Sequence, residues 1–283
     1  MNNGIILVNK PSGYTSRDIV NIYQKKIGIK KIGHCGTLDP LAKGVLVLCV
    51  GNATKLVPYL SATSKKYYTK MKLGLLTTTG DLEGDVIDEL NYNIDDKTIR
   101  NTFKNFEKKY LQEVPKYSAV KVNGKKLYEY ARNNQDVKIP KRMVHIESLE
   151  LLHIDRHDKY TELSFVCVVS KGTYIRSLCI DIAKKMNTVA VMSDLIREEQ
   201  GCFKITECSE LNEEYKIINV NDIALPFTRI DLKSIDDVKY GRKILNTDLV
   251  EGIVTLYYNN ELIAFYESDG KFLKSRRGVK VWK

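Results

Sequence analysis

Gly33-His34-Cys35-Gly36-Thr37-Leu38-Asp39-Pro40-Leu41-Ala42-Lys43-Gly44 places one acid and one histidine in a loop punctuated by glycine and proline. The run Val45-Leu46-Val47-Leu48-Cys49-Val50 follows at once. So short and β-rich a run, entered through a glycine, reads as a buried strand, which anchors the loop to the core. Asp39, between Leu38 and Pro40 at the mouth of that strand, is poorly solvated, and its carboxylate can be aimed. Such a group serves as a nucleophile or electrostatic stabiliser toward an electrophilic carbon. Taken alone, an Asp before Pro is as readily a turn former. An aspartic hydrolase would need a second carboxylate sharing a proton, and no second Asp-centred motif of that kind is present.

Other reactive types are scattered. Lys10, after a strand and before Pro11-Ser12-Gly13, could hold a phosphate or be a solvated lysine. Arg176 falls in the first turn of a helix predicted over 174–186, where a cation opposes the helix dipole unless it has a specific partner. His34-Cys35 has no second pair at metal-ligand spacing, so no metal is expected. The six cysteines form no C-x-x-C pair and read as thiols in a reducing compartment. Neither G-x-x-x-x-G-K-[ST] nor G-x-G-x-x-G occurs, so no nucleotide cofactor is expected.

The elements that must position these residues follow from periodicity. Residues 4–9 read as a buried strand and 16–27 as a helix capped by Ser16 and closed by Gly28. A short helix is predicted over 53–63. Residues 65–74 alternate, with Tyr67, Thr69, Met71 and Leu73 on one face and Lys66, Tyr68, Lys70 and Lys72 on the other. Lysines interleaved with tyrosines suit RNA, although a half-buried strand with a solvated lysine face has the same pattern. Residues 77–85 form a polar loop, and 95–110 an amphipathic helix opened by Asp95 or Asp96. Asn123-Gly124 is a hairpin turn ahead of a short helix at 126–133. Residues 143–155 and 160–170 read as paired antiparallel strands. From 228 onward short β-like pieces with turns at Asn259-Asn260 and Asp269-Gly270 predict a small separate β-rich domain, dividing the chain into 1–227 and 228–283.

The totals fit this. The chain has 283 residues, 43% hydrophobic and 28% charged, ordinary for a globular protein. Forty-five basic residues against 35 acidic give +10, which suits a polyanionic partner or simply a lysine-rich surface. No apolar stretch of membrane-spanning length and no signal sequence is evident, so a cytoplasmic location without membrane contact is expected.

Taken together, several blocks resemble the TruB family of bacterial tRNA pseudouridine-55 synthases over residues 4–205. They are Lys10-Pro11 with Gly13 and Ser16, and Gly33-His34-Cys35-Gly36-Thr37-Leu38-Asp39-Pro40 with Ala42 and Gly44. Lys66-Tyr67 with Leu73-Gly74 is the third. Tyr117-Ser118-Ala119-Val120-Lys121 with Tyr128-Glu129-Tyr130-Ala131-Arg132 resembles a segment of the tRNA branch. Ser170-Lys171-Gly172-Thr173-Tyr174-Ile175-Arg176 and Leu195 with Arg197 complete the set. Thr78 stands where many members have Asp, and Lys43 where Ser or Thr is usual.

The resemblance implies an α+β pseudouridine synthase fold, a mixed and mostly antiparallel sheet flanked by helices, with a small PUA-like RNA-binding domain at the C-terminus. It implies isomerisation of a flipped-out uridine in the TΨC loop of tRNA, with no cofactor or metal; a monomer is expected, although the residues themselves do not fix the oligomeric state. Asp39 becomes the catalytic nucleophile and Arg176 its ion-pair partner. Tyr67 stacks on the base and its hydroxyl accepts a proton. His34 fills or braces the vacated stack, Tyr174 and the Leu195 backbone wall the uracil, and Lys10 contacts substrate. The lysines at 65–72 and 121–126 and the tail at 271–277 take phosphates. A non-enzymatic RNA-binding protein and a pseudouridine synthase acting on ribosomal RNA are the competing readings.

Overall fold

The structure is a computed structural model describing residues 3–280. In chain order it runs β1 (Gly4–Lys10), α1 (Ser16–Ile27), β2 (Ile32–His34), β3 (Lys43–Val50), a 3-10 turn (Gly51–Leu56), α2 (Val57–Leu60), β4 (Lys65–Leu73), β5 (Leu75–Thr77), β6 (Val86–Glu89), α3 (Asp96–Lys104), β7 (Lys109–Glu113), β8 (Lys121–Val122), β9 (Lys125–Lys126) and α4 (Leu127–Arg132). It continues through β10 (Lys141–Arg156), β11 (Thr161–Val169), α5 (Ile175–Lys184), β12 (Ala190–Gln200), β13 (Phe203–Lys204), β14 (Thr228–Asp231), α6 (Asp236–Lys239), β15 (Ile244–Leu245), β16 (Ile253–Tyr258), β17 (Glu261–Ser268) and β18 (Phe272–Gly278). This is the expected α+β class with mostly antiparallel strands.

The chain divides into two compact units. The first gathers the chain up to Pro40, residues 44–63 and everything from Gly201 on; the second holds 41–43 and 64–200. In the first unit β3 pairs antiparallel with β1 (Ile5↔Cys49, Leu7↔Val47) and with β2 (His34↔Leu48). The run 45–50 is apolar at every position because both its faces are covered. Ile6, Val8, Leu46, Leu48 and Val50 pack on Ile19, Val20 and Tyr23 of α1. Ile5, Leu7, Val45, Val47 and Cys49 pack with Phe203, Ile223, Tyr257, Leu262, Phe265 and Val279. The expected β-rich C-terminal segment is a five-stranded sheet of order β14-β16-β17-β18-β15, with only β14 parallel to its neighbour. Its one face thus shares a core with β1 and β3, while Val254, Leu256, Ile263, Tyr266 and Leu273 form a core of their own on the other. The division by compactness therefore groups 228–283 with the N-terminal strands.

In the second unit the strands follow the order β12-β4-β11-β10-β7, all antiparallel. β4 alternates as predicted: Tyr67, Thr69, Met71 and Leu73 are buried and Lys66, Tyr68, Lys70 and Lys72 are half-buried. β10 splits its partners, pairing Lys141–His145 with β7 and Ile146–Arg156 with β11.

Three local readings differ. The cap of α1 is Thr15, whose side chain accepts from the Asp18 N–H in a reciprocal capping box, so Ser16 is released for another bond. The predicted helix 53–63 is a 3-10 turn followed by a single α turn, with Pro58 at the restart, where it has no N–H to donate. The predicted helix 95–110 stops at Lys104, and Lys109–Glu113 is instead a strand. Among the described residues no helix is long and apolar enough to cross a membrane.

Candidate active site

Asp39 is half-buried in the loop between β2 and β3. Both its neighbours are tied down. The Leu38 N–H donates to Ser16 Oγ at 2.9 Å, and Ser16 Oγ lies 3.2 Å from Leu38 O. The Pro40 carbonyl accepts from the Gly13 N–H at 2.9 Å and from Lys10 Nζ at 3.2 Å. Leu38 is 3% exposed and Ala42 fully buried, so the loop is pegged on either side of the acid. Gly44, at φ +101°, takes a left-handed turn into β3 that a Cβ would strain. The Asp39 carboxylate is thereby carried on a fixed backbone.

Lys10 braces the loop. It is fully buried, and its ammonium donates to Pro11 O (2.9 Å), Tyr14 O (2.6 Å) and Pro40 O (3.2 Å). The ammonium ties together carbonyls of the two loops it joins, which makes it a clamp on the Asp39 loop. Lys10→Met should leave three part-buried carbonyls short of a charged donor, lowering stability by about 1–2 kcal/mol in urea unfolding. The same substitution should slow turnover, because the Asp39 backbone loses its peg.

Arg176 sits in the first turn of α5, 5% exposed. Nη1 donates to Thr79 O at 2.9 Å and Nη2 to Tyr117 O at 3.0 Å, and Nη1 lies 3.6 Å from Asp81 Oδ2. These partners answer the unfavourable placement of a cation at a helix N-terminus: two carbonyls and a carboxylate outweigh the dipole. Asp81, 3% exposed, was legible only as one acid in a polar loop. That loop is self-bonded. Thr77 Oγ1 donates to Asp81 O at 2.6 Å, Thr79 Oγ1 to Asp81 Oδ1 at 2.5 Å, and the Glu83 N–H to Asp81 Oδ1 at 3.1 Å. Gly80 (φ +76°) lets it press on α5, since an added Cβ would meet Ile180 Cδ1 at 3.3 Å and Arg176 Cβ at 3.6 Å. Arg176 also walls a cavity of about 610 Å³ between this loop, the segment 113–137 and α5.

The remaining candidates divide by unit. Lys10, His34 and Asp39 belong to the first, Tyr67, Tyr174, Arg176 and Leu195 to the second. In the second unit β4 and β12 bring Tyr67 directly opposite Arg197, with Leu195 two pairs further along opposite Thr69. Direct partners share a sheet face, so Tyr67, Leu195 and Arg197 line one buried surface, at 7%, 5% and 1% exposure. Tyr174 is the N-cap of α5, half-buried, and its N–H donates to Gln112 Oε1 at 2.7 Å. His34 ends β2, half-buried.

The lysines of β4 are largely committed within the sheet. Lys66 pairs with Glu198 (3.2 Å), Lys70 with Glu162 (3.0 Å), and Lys72 lies 4.1 Å from the Tyr160 ring centroid. The solvated, self-paired face therefore describes β4 better than a phosphate-binding one. In the C-terminal tail Lys274 pairs with Asp269 and Arg276 with Glu267. Lys55 has its ammonium held below the usual lysine value by partial burial and, less, by Lys31 and Arg277.

The architecture has counterparts among solved structures. A Cbf5-Nop10-Gar1 complex superposes with a TM-score of 0.74 at 22% identity, covering 99% of this chain and 85% of that one. An archaeal box H/ACA sRNP Nop10-Cbf5 complex gives 0.71 at 22% identity, covering 99% and 89%. These show that the chain shares its overall fold with the Cbf5 complexes. A family model described as TruB family pseudouridylate synthase, N terminal domain, matches residues 24–175. Similar curated sequences include tRNA pseudouridine synthase B of Mesoplasma florum, 41% identical over 97% of each chain. That of Bacillus subtilis is 43% identical over 81% of this chain and 76% of its own. The chain belongs to the TruB family of pseudouridylate synthases.

Proposed function

We propose that this enzyme isomerises uridine to pseudouridine at position 55, in the TΨC loop of tRNA, with Asp39 as the nucleophile. The C1′–N1 bond breaks, the uracil turns, and C5 joins C1′; the proton lost from C5 balances the one gained at N1. No electron or external energy is consumed. Because the target lies inside a folded arm, it must be flipped out at roughly a few kcal/mol. The support for an enzyme rather than an RNA-binding scaffold is Arg176. A desolvated guanidinium fixed by two carbonyls and a carboxylate is a costly feature that binding alone does not require.

In this reading Arg176 partners the Asp39 carboxylate, its five N–H groups being enough to serve carbonyls and carboxylates together. Tyr67 stacks on the base and its hydroxyl takes the C5 proton. Tyr174 and the backbone at Leu195 wall the uracil, and His34 braces the space the base leaves. The β-rich segment 228–283 contributes RNA contacts in the manner of a PUA-like domain, with Arg277 among the phosphate ligands. The protein works as a monomer in the cytoplasm. Deleting the gene and mapping pseudouridine in the cell's tRNA tests this: TΨC loops should carry unmodified uridine, and unchanged loops would refute the tRNA assignment.

A further inference from the structure

Gln112 has no part in the reading above, and its surroundings give it one. It lies on β7 at 1% exposure. Its Oε1 accepts from the Tyr174 N–H at 2.7 Å, and its Nε2 donates to Tyr110 Oη at 2.9 Å. Tyr110 Oη in turn donates to Asp181 Oδ2 at 3.1 Å. The chain of bonds is directional, Gln112 and Tyr110 each giving one proton and taking one between the Tyr174 donor and the Asp181 acceptor, which is the arrangement in which hydrogen bonds strengthen one another. It starts and finishes on α5. Tyr174 is the helix N-cap and Asp181 stands seven residues on, two turns along the same face. The neighbouring residue of β7 adds a bolt, since Ser177 Oγ donates to Glu113 O at 2.8 Å.

The helix needs this. Tyr174 makes no side-chain cap to α5, and the first N–H groups of any helix lack internal partners. Gln112 supplies the missing acceptor from another strand, at the segment that carries both Tyr174 and Arg176. Gln112 is buried, and Tyr110 and Asp181 are half-buried; burial raises the Asp181 carboxyl pKa, against the Lys184 ammonium 3.7 Å away, and burial with the Asp181 charge raises that of the Tyr110 hydroxyl.

We infer that Gln112, through Tyr110 and Asp181, is a positioning residue that sets the N-terminus of α5, and so places Tyr174 and Arg176 for isomerisation without touching the substrate. The inference rests on the proposed roles of Tyr174 and Arg176. Gln112→Met keeps the volume and removes both polar atoms. Gln112→Glu restores an acceptor for the Tyr174 N–H. Single-turnover pseudouridine formation on a tRNA transcript and amide hydrogen exchange over 172–178 are measured for both. The Met variant should lose about 10- to 100-fold in rate, bind the transcript within about twofold of wild type, and exchange faster at Tyr174. The Glu variant should recover most of the rate and the protection. An unchanged rate in the Met variant, or a folded Glu variant as slow as the Met variant, would overturn the inference. If the Met variant does not fold, Tyr110→Phe decides, because it breaks the link from Gln112 to Asp181: a loss of about tenfold in rate supports the inference, and an unchanged rate refutes it. Failure of the underlying reading looks different: the wild-type protein would then form no pseudouridine, or Arg176→Lys would retain the full rate.

Discussion

Asp39→Asn should lower the rate of pseudouridine formation by about 10⁴-fold or more while tRNA binding stays within about threefold of wild type. The amide keeps the size and most of the hydrogen-bonding shape of the carboxylate but has no nucleophilic oxygen anion. The loop should not move. Its neighbours are held by Ser16 on one side and by Gly13 and Lys10 on the other, none of which uses the Asp39 side chain. Affinity should be preserved or slightly raised, because one negative charge facing a polyanion is removed. Single-turnover kinetics and filter binding on the same transcript separate the two effects. A variant that loses binding in proportion to rate would make Asp39 a structural residue.

The second large effect is expected at Arg176. Arg176→Lys retains the charge but replaces a planar fork with a point charge. It cannot donate to Thr79 O and Tyr117 O in the present geometry while also serving carboxylates. A loss of about 10²- to 10³-fold in rate is expected, with a small change in the unfolding midpoint. Arg176→Met should do more. It strands Asp81, 3% exposed, as a buried carboxylate beside an apolar side chain, so stability should fall by about 3–5 kcal/mol as well. A kinetic defect in the lysine variant without the stability defect of the methionine variant is the pattern that places Arg176 in the chemistry.

Much of this architecture was legible in residue order. The alternation at 65–73 gave β4 and its faces, Asp95 gave the start of α3, and the Asn-Gly and Asp-Gly pairs gave turns, because each is a local matter of side-chain period or backbone sterics. What escaped depends on atoms far apart in sequence. Lys10 read as a loop lysine because nothing local announces that Pro40, thirty residues on, returns a carbonyl to it. Lys109–Glu113 read as the tail of a helix because a strand that exists by pairing with β10 has no period of its own over five residues. Arg176 was legible as an anomaly, a cation at the wrong end of a helix, but its partner Asp81 was hidden in a loop rich in polar residues. Gln112 gave no signal at all: a lone glutamine between Leu111 and Glu113 looks like surface until Tyr174 is seen donating to it.

The central claim, an enzyme that makes pseudouridine at one place in tRNA, is tested most directly with purified protein and an unmodified tRNA transcript. Pseudouridine is mapped along the whole transcript after incubation without cofactor or metal, with Asp39→Asn alongside. The expected result is one pseudouridine per transcript, in the TΨC loop, made by the wild-type chain and absent with the variant. No pseudouridine from the wild-type chain, pseudouridine elsewhere in the transcript, or equal modification by Asp39→Asn would contradict it.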